Sequence, residues 1–370
     1  MWGKALQKYI AAAADTISAG IDEPRDAFST AADRRKDEVR RWARHCARFR
    51  GADHRRAILQ IVNTALPLLV LTVLMFWSLK VSYLLTLLMA IPAGGLLVRL
   101  FIIQHDCGHG SFFGSSRLNT VVGHVMSVFT LAPYGLWRRE HAVHHNGSGN
   151  LDRRGIGDIE TMTVAEYLAS TPFERLRYRL YRHPLFLFGL GVPAYFLFIQ
   201  RLPWFHGLKA SEAWRSVMGL NLAIAAVFGP LGWFLGYGAV ALVFLPMLHV
   251  ASALGGWLFF VQHQFEETQW DNSETWDFQT AAVHGSSYYV LPKPLQWVTG
   301  NIGLHHIHHL NSMVPNYRLQ ECLDALPELQ QVNRLTLAES FRCVRFALWD
   351  DTSRRLVTYR EATLGSSAAA

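Results

Sequence analysis

The sequence predicts an all-α integral membrane protein, with four transmembrane helices in two hairpins and a cytoplasmic cap that carries three histidine clusters. Long stretches without a charged residue support the helices: 57–79, 81–98 and 233–262. About 20 apolar residues are enough to cross the hydrocarbon core of a bilayer, and a soluble core helix of that length normally carries a charge on its outer face. The composition agrees, with 51% hydrophobic residues against about 45–50% in an ordinary soluble domain.

Residues 1–56 form a basic N-terminal segment that we expect on the cytoplasmic side. The chain does not open with a short apolar core and a cleavage motif, so no signal peptide is expected. Ten Arg and Lys residues lie between positions 34 and 56, as is typical of cytoplasmic anchoring beside a membrane helix. No nucleic-acid-binding motif accompanies this charge, so nucleic acid is not expected as a partner. The four cysteines form no CxxC pair, which is typical of a reducing compartment.

The membrane domain is predicted to cover residues 57–345 and to begin with a hairpin of two spans, at about 57–79 and 81–103. Lys80 is the one charged residue in its outer turn. With the N-terminus in the cytoplasm, the hairpin returns the chain to the cytoplasmic side. The apolar stretch 121–136 is too short to span and has arginine on both flanks, so we predict a re-entrant or interfacial piece.

A second hairpin is predicted from spans at about 215–236 and 239–262. The turn at 230–238 has no Lys or Arg, as expected outside the cell. The apolar stretch 184–200 has arginines on both sides, so we predict an interfacial segment with both ends in the cytoplasm. The arginine-rich residues 178–183 before it are a candidate for holding a lipid headgroup, or serve only as a surface anchor. From residue 310 onward the chain is predicted to be soluble and mostly helical, with a separate tail at 346–370 and disorder at 365–370.

The histidine clusters predict a metal site. They read His105-Asp-Cys-Gly-His109, His141-Ala-Val-His144-His145 and His305-His306-Ile-His308-His309. Spacings of i, i+3 and i+4 place side chains on one helix face, where they can converge on a metal. Scattered surface or core histidines are the alternative, but two copies of the pattern HxxHH are hard to explain that way. Eight imidazoles exceed what one first-row ion can hold, which indicates two ions with open positions. The predicted ligands are His105, His109, His141, His144, His145, His305, His308 and His309.

Further residues are candidates around this core. His263 lies where the fourth span meets the cytoplasm and is a candidate ninth ligand; the alternative is an interfacial histidine without metal. Nearby carboxylates are expected to orient the imidazoles, although each has a solvated loop acid as its alternative. Asn301 is a weak ligand or a water holder, and His306 points off the ligand face and is expected to support its neighbours. The candidate carboxylates are Asp106, Glu140, Asp152, Asp158 and Glu266 or Glu267. No role is assigned to His45, His54, His124, His183, His206, His249 or His284.

Ligand type alone leaves the metal open. Imidazole suits zinc, copper, iron and nickel. Four ligands close a structural zinc site, so this many histidines favour a redox pair that activates dioxygen.

At these residues the chain resembles the membrane fatty acid desaturases. HDCGH, HAVHH and HHIHH are similar to the three histidine boxes of that family, and 145–160, 262–266 and 311–319 resemble bacterial acyl-lipid desaturases. The resemblance covers roughly residues 35–345. It implies a non-heme centre of two irons. From the spans and their flanking charges we expect a bacterial inner-membrane protein whose active site faces the cytoplasm. The resemblance also implies a ferredoxin or cytochrome b5-type electron donor, which we expect to be a separate protein because no heme-binding motif lies outside the boxes.

The expected reaction is the introduction of a cis double bond into an acyl chain of a membrane lipid. We predict position Δ12 on an existing monoene, with Δ9 or Δ5 on a saturated chain behind it. A di-iron hydroxylase or ketolase of an alkane or carotenoid is the alternative, because such enzymes carry similar boxes. A membrane metal carrier or sensor is a third hypothesis. A carrier would need ionisable residues within its spans, and 57–79 has none.

Overall fold

The computed structural model describes residues 31–203 and 209–368. Of the compact unit 1–38, only residues 31–38 are described, and they begin helix α1; the second unit is Val39–Ala370. The helices before the first strand are α1 (Ala31–Ala47), α2 (His54–Ser78), α3 (Tyr83–His109), α4 (Ser116–Thr130) and α5 (Tyr134–Gly147), followed by a 3-10 turn at Leu151–Arg153.

Short elements and two long helices follow. They are β1 (Met162–Thr163), α6 (Val164–Ala169), α7 (Pro172–Arg182), α8 (Pro184–Phe186), a π-helical turn (Leu187–Gly191), α9 (Val192–Leu197), a 3-10 turn (Ile199–Arg201), α10 (Ala210–Leu235) and α11 (Tyr237–His263).

The last part of the chain mixes short helices and strands. It contains α12 (Phe278–His284), β2 (Tyr288–Val290), α13 (Lys293–Val298), α14 (His305–Leu310), α15 (Asn316–Asp324), a 3-10 turn (Pro327–Gln331), β3 (Arg334–Thr336), α16 (Leu337–Ser340), a 3-10 turn (Cys343–Arg345), β4 (Leu348–Asp350), β5 (Arg355–Val357) and α17 (Tyr359–Ala368).

Five segments of the described chain are long and apolar enough to cross a membrane: α2, α3, Pro184–Arg201, α10 and α11. Four of them correspond to the predicted spans, and the fifth is the stretch that the charge pattern assigned to the interface. In the most apolar part of α3, 67% of the residues are buried, against 17% in α2 and in α10. Helix α3 is therefore enclosed by its neighbours, whereas α2 and α10 present apolar side chains outward, as lipid-facing helices do.

Helices α3 and α11 extend further than predicted and carry histidines on their last turns. α3 continues to His109 and ends at Gly110, which has φ +79° and donates its N–H to the preceding turn. The two helices pack closely at Gly94, where an added Cβ would lie 2.5 Å from a methyl of Val250. This close packing brings the His105 and His263 ends of the helices to the same level.

The short helix α4 starts and finishes beside the end of α3. Near its start, Asn119 exchanges hydrogen bonds with the backbone of Phe113. At its end, the Thr130 hydroxyl lies 2.5 Å from Oε1 of Gln104 on α3. The predicted apolar piece 121–136 is broken at Leu131, which has φ +58°, so its last residues belong to α5 instead.

The segment Pro184–Arg201 is an interrupted helix with both ends near the histidine-bearing helix ends. Just before it, the Arg182 guanidinium donates to Oε1 of Gln264 at 2.9 Å, directly after α11. At its middle, Val192 packs on Gly256, where an added Cβ would lie 2.8 Å from a valine methyl. Its last residue, Arg201, donates to the carbonyl of Leu131 at the end of α4.

Two small sheets correct the expectation of a purely helical chain. β1 pairs in parallel with β4, which pairs antiparallel with β5, while β2 and β3 form a separate parallel pair. The segment 346–370, treated as a separate tail from sequence, thus supplies two strands of the first sheet and buries Trp349 completely. The chain after 310 is also less helical than expected. Residues 365–368 are helical rather than disordered, and 369–370 lie outside the described residues.

Candidate metal centre

Four elements bring all nine predicted imidazoles together. The last turn of α3 carries two of them, α5 three, the end of α11 one and α14 three. The six-residue α14 is too short to be stable alone. It is held by Ile307 and Leu310, which are buried in one apolar cluster with Leu319 of α15.

The nine imidazoles fall into two groups. We call them site 1 and site 2; within each, one nitrogen per residue lies within 4.8 Å of the others. Site 1 consists of His105, His109, His141, His145 and His308, and site 2 of His144, His263, His305 and His309.

The two HxxHH clusters divide their histidines between the sites in opposite ways. In α5, the i, i+4 pair His141 and His145 belongs to site 1, and His144 belongs to site 2. In α14, the i, i+4 pair His305 and His309 belongs to site 2, and His308 belongs to site 1. Adjacent helical residues are rotated by about 100°, so neighbouring histidines point into different sites. The doubled histidine of each motif is therefore what builds two sites from one helix.

The spacing of the nitrogens fits one first-row ion in each site. Two nitrogens bonded to one ion at about 2.1 Å and at right angles lie about 3 Å apart. In site 1, Nε2 of His141 is 3.1 Å from that of His109 and 3.1 Å from that of His145, which is 3.2 Å from that of His308. In site 2, Nε2 of His263 is 3.1 Å from that of His144 and 3.0 Å from that of His305.

The electrostatics of the sites also call for a cation. Burial, followed by repulsion from neighbouring imidazoles, lowers the pKa of His145 and of His308 well below the usual value. These rings are therefore neutral and offer lone pairs. The Nε2 atom of His309 is buried and has no hydrogen-bond partner among the described residues. Because a buried polar atom without a partner costs free energy, a bound ion is the natural partner for this nitrogen.

Three groups outside the ligand set hold the imidazoles in place. Nδ1 of His105 lies 2.9 Å from Oδ1 of Asp106, and Nδ1 of His144 lies 2.5 Å from Oδ1 of Asp158. Nδ1 of His263 lies 3.0 Å from the carbonyl oxygen of Gly285. Such an acceptor fixes the Nδ1–H tautomer and leaves Nε2 for the metal. Asp106 and Asp158 were among the sequence candidates; the Gly285 carbonyl was not, because a backbone acceptor leaves no sequence signal.

Asn316 is a further residue that the sequence did not single out. Its backbone N–H and its side-chain amide both donate to Oδ2 of Asp106, at 2.7 and 2.8 Å. Asn301, predicted as a weak ligand, instead donates to the Asn316 carbonyl at 3.1 Å. Asn301 therefore supports the site indirectly: it binds Asn316, which in turn binds Asp106.

The structure directs three other candidates to different partners. Asp152 accepts from the backbone of Ser273 at 2.7 Å. Glu266 pairs with Arg355 at 2.7 Å on the exposed surface. The His306 ring is buried on the opposite side of α14, 3.0 Å from the carbonyl of Leu329 and outside both sites. Its neighbour His305 belongs to site 2, and the turn of the helix directs the His306 ring away from that site. Glu140 lines a cavity beside His141, and Glu267 is exposed.

An apolar cavity of about 480 Å³ ends at the two sites. It lies between α3, α11 and the segment Pro184–Arg201, and it reaches His105 and His141 of site 1 and His305 of site 2. The Trp137 ring, stacked on His141 with centroids 4.7 Å apart, forms part of its wall. A mostly apolar cavity of this volume suits a hydrocarbon chain. Its lining also includes Leu97, Leu248, Ala251 and Gly255.

Apolar helices with paired polyhistidine sites at the end of an apolar cavity define a membrane metalloprotein that acts on a hydrocarbon group. The sequence model of the family described as fatty acid desaturase matches residues 77–339, and the chain belongs to that family. It is therefore an oxidoreductase. The family match confirms the resemblance read from the histidine boxes and does not favour the alternative of a hydroxylase or ketolase.

Named relatives agree with the family match. A fatty acid desaturase of Bacillus subtilis (strain 168) is 42% identical over 314 residues, which is 85% of this chain and 89% of the relative. A probable fatty acid desaturase of Sorghum bicolor is 31% identical, over 63% of this chain and 61% of its own. An sn-1 acyl-lipid omega-3 desaturase (ferredoxin) of Synechocystis sp. is 29% identical, over 63% of this chain and 65% of its own.

Proposed function

We propose that this desaturase introduces a cis double bond into an acyl chain of a membrane lipid, using dioxygen and two irons. The observation that carries the proposal is the apolar cavity that ends at both histidine sites. For each bond formed, –CH2–CH2– together with O2, two electrons and two protons becomes –CH=CH– and two water molecules. The acyl-lipid substrate is supported by the Synechocystis relative, which is an sn-1 acyl-lipid desaturase. Position Δ12 remains our first choice, with Δ9 or Δ5 behind it.

Iron in both sites is supported by the donor set and by the family. Imidazole binds iron among other metals, and the chain belongs to the fatty acid desaturase family. When bound, the iron pair supplies the redox chemistry that activates dioxygen. The residues proposed to hold it are His105, His109, His141, His145 and His308 in site 1, and His144, His263, His305 and His309 in site 2.

The chain itself contributes position and exclusion of water. The cavity walls align an alkyl chain so that one stretch lies beside His105 and His305, and they exclude water from the reacting carbons. Asp106 and Asp158 keep the imidazoles in one tautomer and one orientation. The bond position then follows from the length of acyl chain that the cavity holds on each side of His105 and His305.

The proposed topology has four spans, with Pro184–Arg201 as a re-entrant segment and the metal sites facing the cytoplasm of a bacterial inner membrane. Helices α3 and α11 both end at the sites, so they run in the same direction. Helix α10 starts on that side too, because the Leu136 N–H of α5 donates to Ser216 of its second turn at 2.9 Å. An even number of crossings must therefore separate α3 from α10. Arg182 and Arg201, at the two ends of Pro184–Arg201, both contact residues at the level of the sites, which supports zero crossings between α3 and α10.

We propose a ferredoxin or cytochrome b5-type protein as the electron donor, separate from this chain. Support comes from the Synechocystis relative, whose name includes ferredoxin. The sites lie at the helix ends rather than at mid-membrane, which leaves a short path from a water-soluble carrier.

The proposal is tested by expressing the chain in a bacterium that makes only saturated and monounsaturated acyl chains. We expect mass spectrometry to show a new double bond in its phospholipids, lost in His305→Ala and retained in His124→Ala. His124 is an exposed histidine of α4 outside both sites, so it is a matched control. A hydroxylated or ketolated product without a new double bond would assign the chain to a different reaction.

A further inference from the structure

Helix α7, Pro172–Arg182, has its polarity reversed relative to an ordinary surface helix. Phe173, Leu176 and Leu180 are 74%, 54% and 55% exposed. These positions follow the i, i+3, i+7 spacing of one helix face. On the other face, Tyr178 and Arg182 are only 3% and 5% exposed. A helix in water would turn its leucines inward and its arginine outward, so water does not explain this arrangement.

The polar residues of α7 are engaged with the protein. The Arg182 guanidinium donates to Gln264, to the carbonyl of Phe346 at 2.8 Å and to that of Glu160 at 3.2 Å. The Tyr178 hydroxyl donates to the carbonyl of Ala347 at 2.5 Å. The sequence had suggested that residues 178–183 hold a lipid headgroup, but these two groups are already satisfied.

Arg179 is also bound to the protein. Arg177, in contrast, lies on the exposed face formed by Phe173, Leu176 and Leu180, which we call the leucine face. Arg179 donates to the Tyr167 hydroxyl at 2.5 Å and lies over the Tyr359 ring. Arg177 is exposed between Leu176 and Leu180. One cation within an apolar face suits the boundary between anionic headgroups and acyl chains. In contact with a second protein copy, the same cation would be buried without a partner, which is costly.

The leucine face continues into two other features of the molecule. After His183 the chain enters Pro184–Arg201, where Leu185 is 79% exposed; that segment is apolar enough for a membrane. In the other direction, Tyr181 of α7 lines the 480 Å³ cavity, together with Phe186 and Leu187 just beyond it. Helix α7 thus connects an apolar outer surface with the lining of the cavity.

We propose that the leucine face of α7 lies in the lipid leaflet on the side of the metal sites. It borders a lateral opening through which acyl chains enter the cavity from the bilayer. The inference rests on the proposed function and adds the route that the substrate takes: the acyl chain of the membrane lipid enters the cavity sideways from the bilayer, through the side on which α7 lies. A water-soluble acyl thioester would reach the cavity from the aqueous phase and would not need an opening toward the bilayer.

The first test measures where the leucine face lies. Leu176→Cys and Leu180→Cys are labelled with an environment-sensitive fluorophore and reconstituted in phosphatidylglycerol vesicles with brominated acyl chains. The four native cysteines are buried, so they compete little for the label. We expect at least about twofold quenching at both positions, as for side chains inserted below the headgroups, and none at Thr352→Cys in the β4–β5 turn. Unquenched labels at 176 and 180 would overturn the proposal, whether water or a second copy covers the face.

The second test measures substrate entry. We expect Leu176→Glu combined with Leu180→Glu to lower kcat/KM about tenfold for acyl chains of vesicle phospholipids. The same variant should desaturate a detergent-solubilised acyl substrate at the wild-type rate. Thr352→Glu, which adds a negative charge to the β4–β5 turn, should change neither rate. Equal losses on both substrates, or no loss on vesicles, would contradict a lateral entrance.

Failure of this inference is distinguishable from failure of the proposed function. If the chain were not a lipid desaturase, wild-type protein would form no double bond, and the quenching result would still stand. If the entrance were elsewhere, wild-type protein would desaturate while the labels at 176 and 180 stayed unquenched. Iron content of the double variant serves as the folding control, since neither leucine lies near the sites.

Discussion

At the scale of single residues, the doubled histidines of α5 and α14 determine that there are two sites rather than one. His144 and His145 are adjacent in the chain, yet they belong to site 2 and site 1. The same holds for His309 and His308. Removing either member of a pair therefore affects one site directly, while the other keeps its full set of imidazoles.

Iron content follows from this division. We expect wild-type protein, purified after growth with ample iron, to hold about two irons per chain, because site 1 and site 2 each suit one ion. His144→Ala and His308→Ala remove a ligand from site 2 and site 1, and each should lose about one iron together with most activity. Metal analysis and lipid analysis of the same preparations check this, with His124→Ala as the control. One tightly bound zinc in place of iron in the wild type would contradict it.

Two carboxylates are expected to matter through the imidazoles that they hold. Asp106→Asn and Asp158→Asn keep the side-chain shape but remove the charge next to His105 and His144. Loss of such a group typically costs about 10- to 100-fold in metal affinity or activity. Competition with a chelator measures the affinity. Asp152→Asn is the matched control, because Asp152 contacts Ser273 instead. An equal loss of metal affinity in this variant would mean that the negative charge of the region, and not the contacts with His105 and His144, holds the metal.

At the scale of elements, the sequence predicted the membrane helices and all nine converging imidazoles. Charge-free length and helical histidine spacing are local signals, which a single sequence displays. What it could not supply depends on distant contacts. Examples are Asn316 bound to Asp106, the Gly285 carbonyl at His263, and the short strands that pair 162–163 with 348–349. Asp152 and Asp158 looked equivalent in the sequence, and only the course of the loop separates them.

The wall that α11 gives to the cavity is expected to control chain length. Gly255 lines the cavity, and an added Cβ there would meet no atom within 4 Å. It lies eight residues before His263, or about 12 Å along the helix, so a larger side chain shortens the space without disturbing the sites.

We therefore expect Gly255→Leu to raise the ratio of C16 to C18 products about tenfold, the discrimination that one or two methylene groups carry in an apolar pocket. Gas chromatography of the lipids from the expressing host measures the ratio. Gly219→Leu, at an exposed glycine of α10 with equally free space, should leave it unchanged. An unaltered ratio with full activity in Gly255→Leu would show that the acyl chain does not lie along this wall.

At the scale of the whole molecule, the placement of every histidine site at one set of helix ends constrains how the chain crosses the membrane. Helices α3 and α11 deliver their C-terminal turns to the sites, and α5 and α14 supply the rest. Since α2 must cross the bilayer in the opposite direction to α3, its start, at His54, lies on the side of the sites. The basic residues between 34 and 56 lie before and at this start, and this distribution of positive charge supports the proposal that the side of the sites faces the cytoplasm.

Cysteine labelling in intact cells tests this topology. A four-span chain should be labelled only from the cytoplasm at Asn146, at Gly207, which lies outside the described residues, and at Ser353, and only from outside at Gly236 in the α10–α11 turn. Asn146 was chosen because it is exposed on α5. The nearby Gly149 is unsuitable for a cysteine because it is buried and has φ +74°. A membrane-impermeant maleimide, applied before and after permeabilisation, reads out the sides. External labelling at 207 would mean that Pro184–Arg201 spans, and α10 and α11 would then run in directions that the shared position of His144 and His263 does not permit.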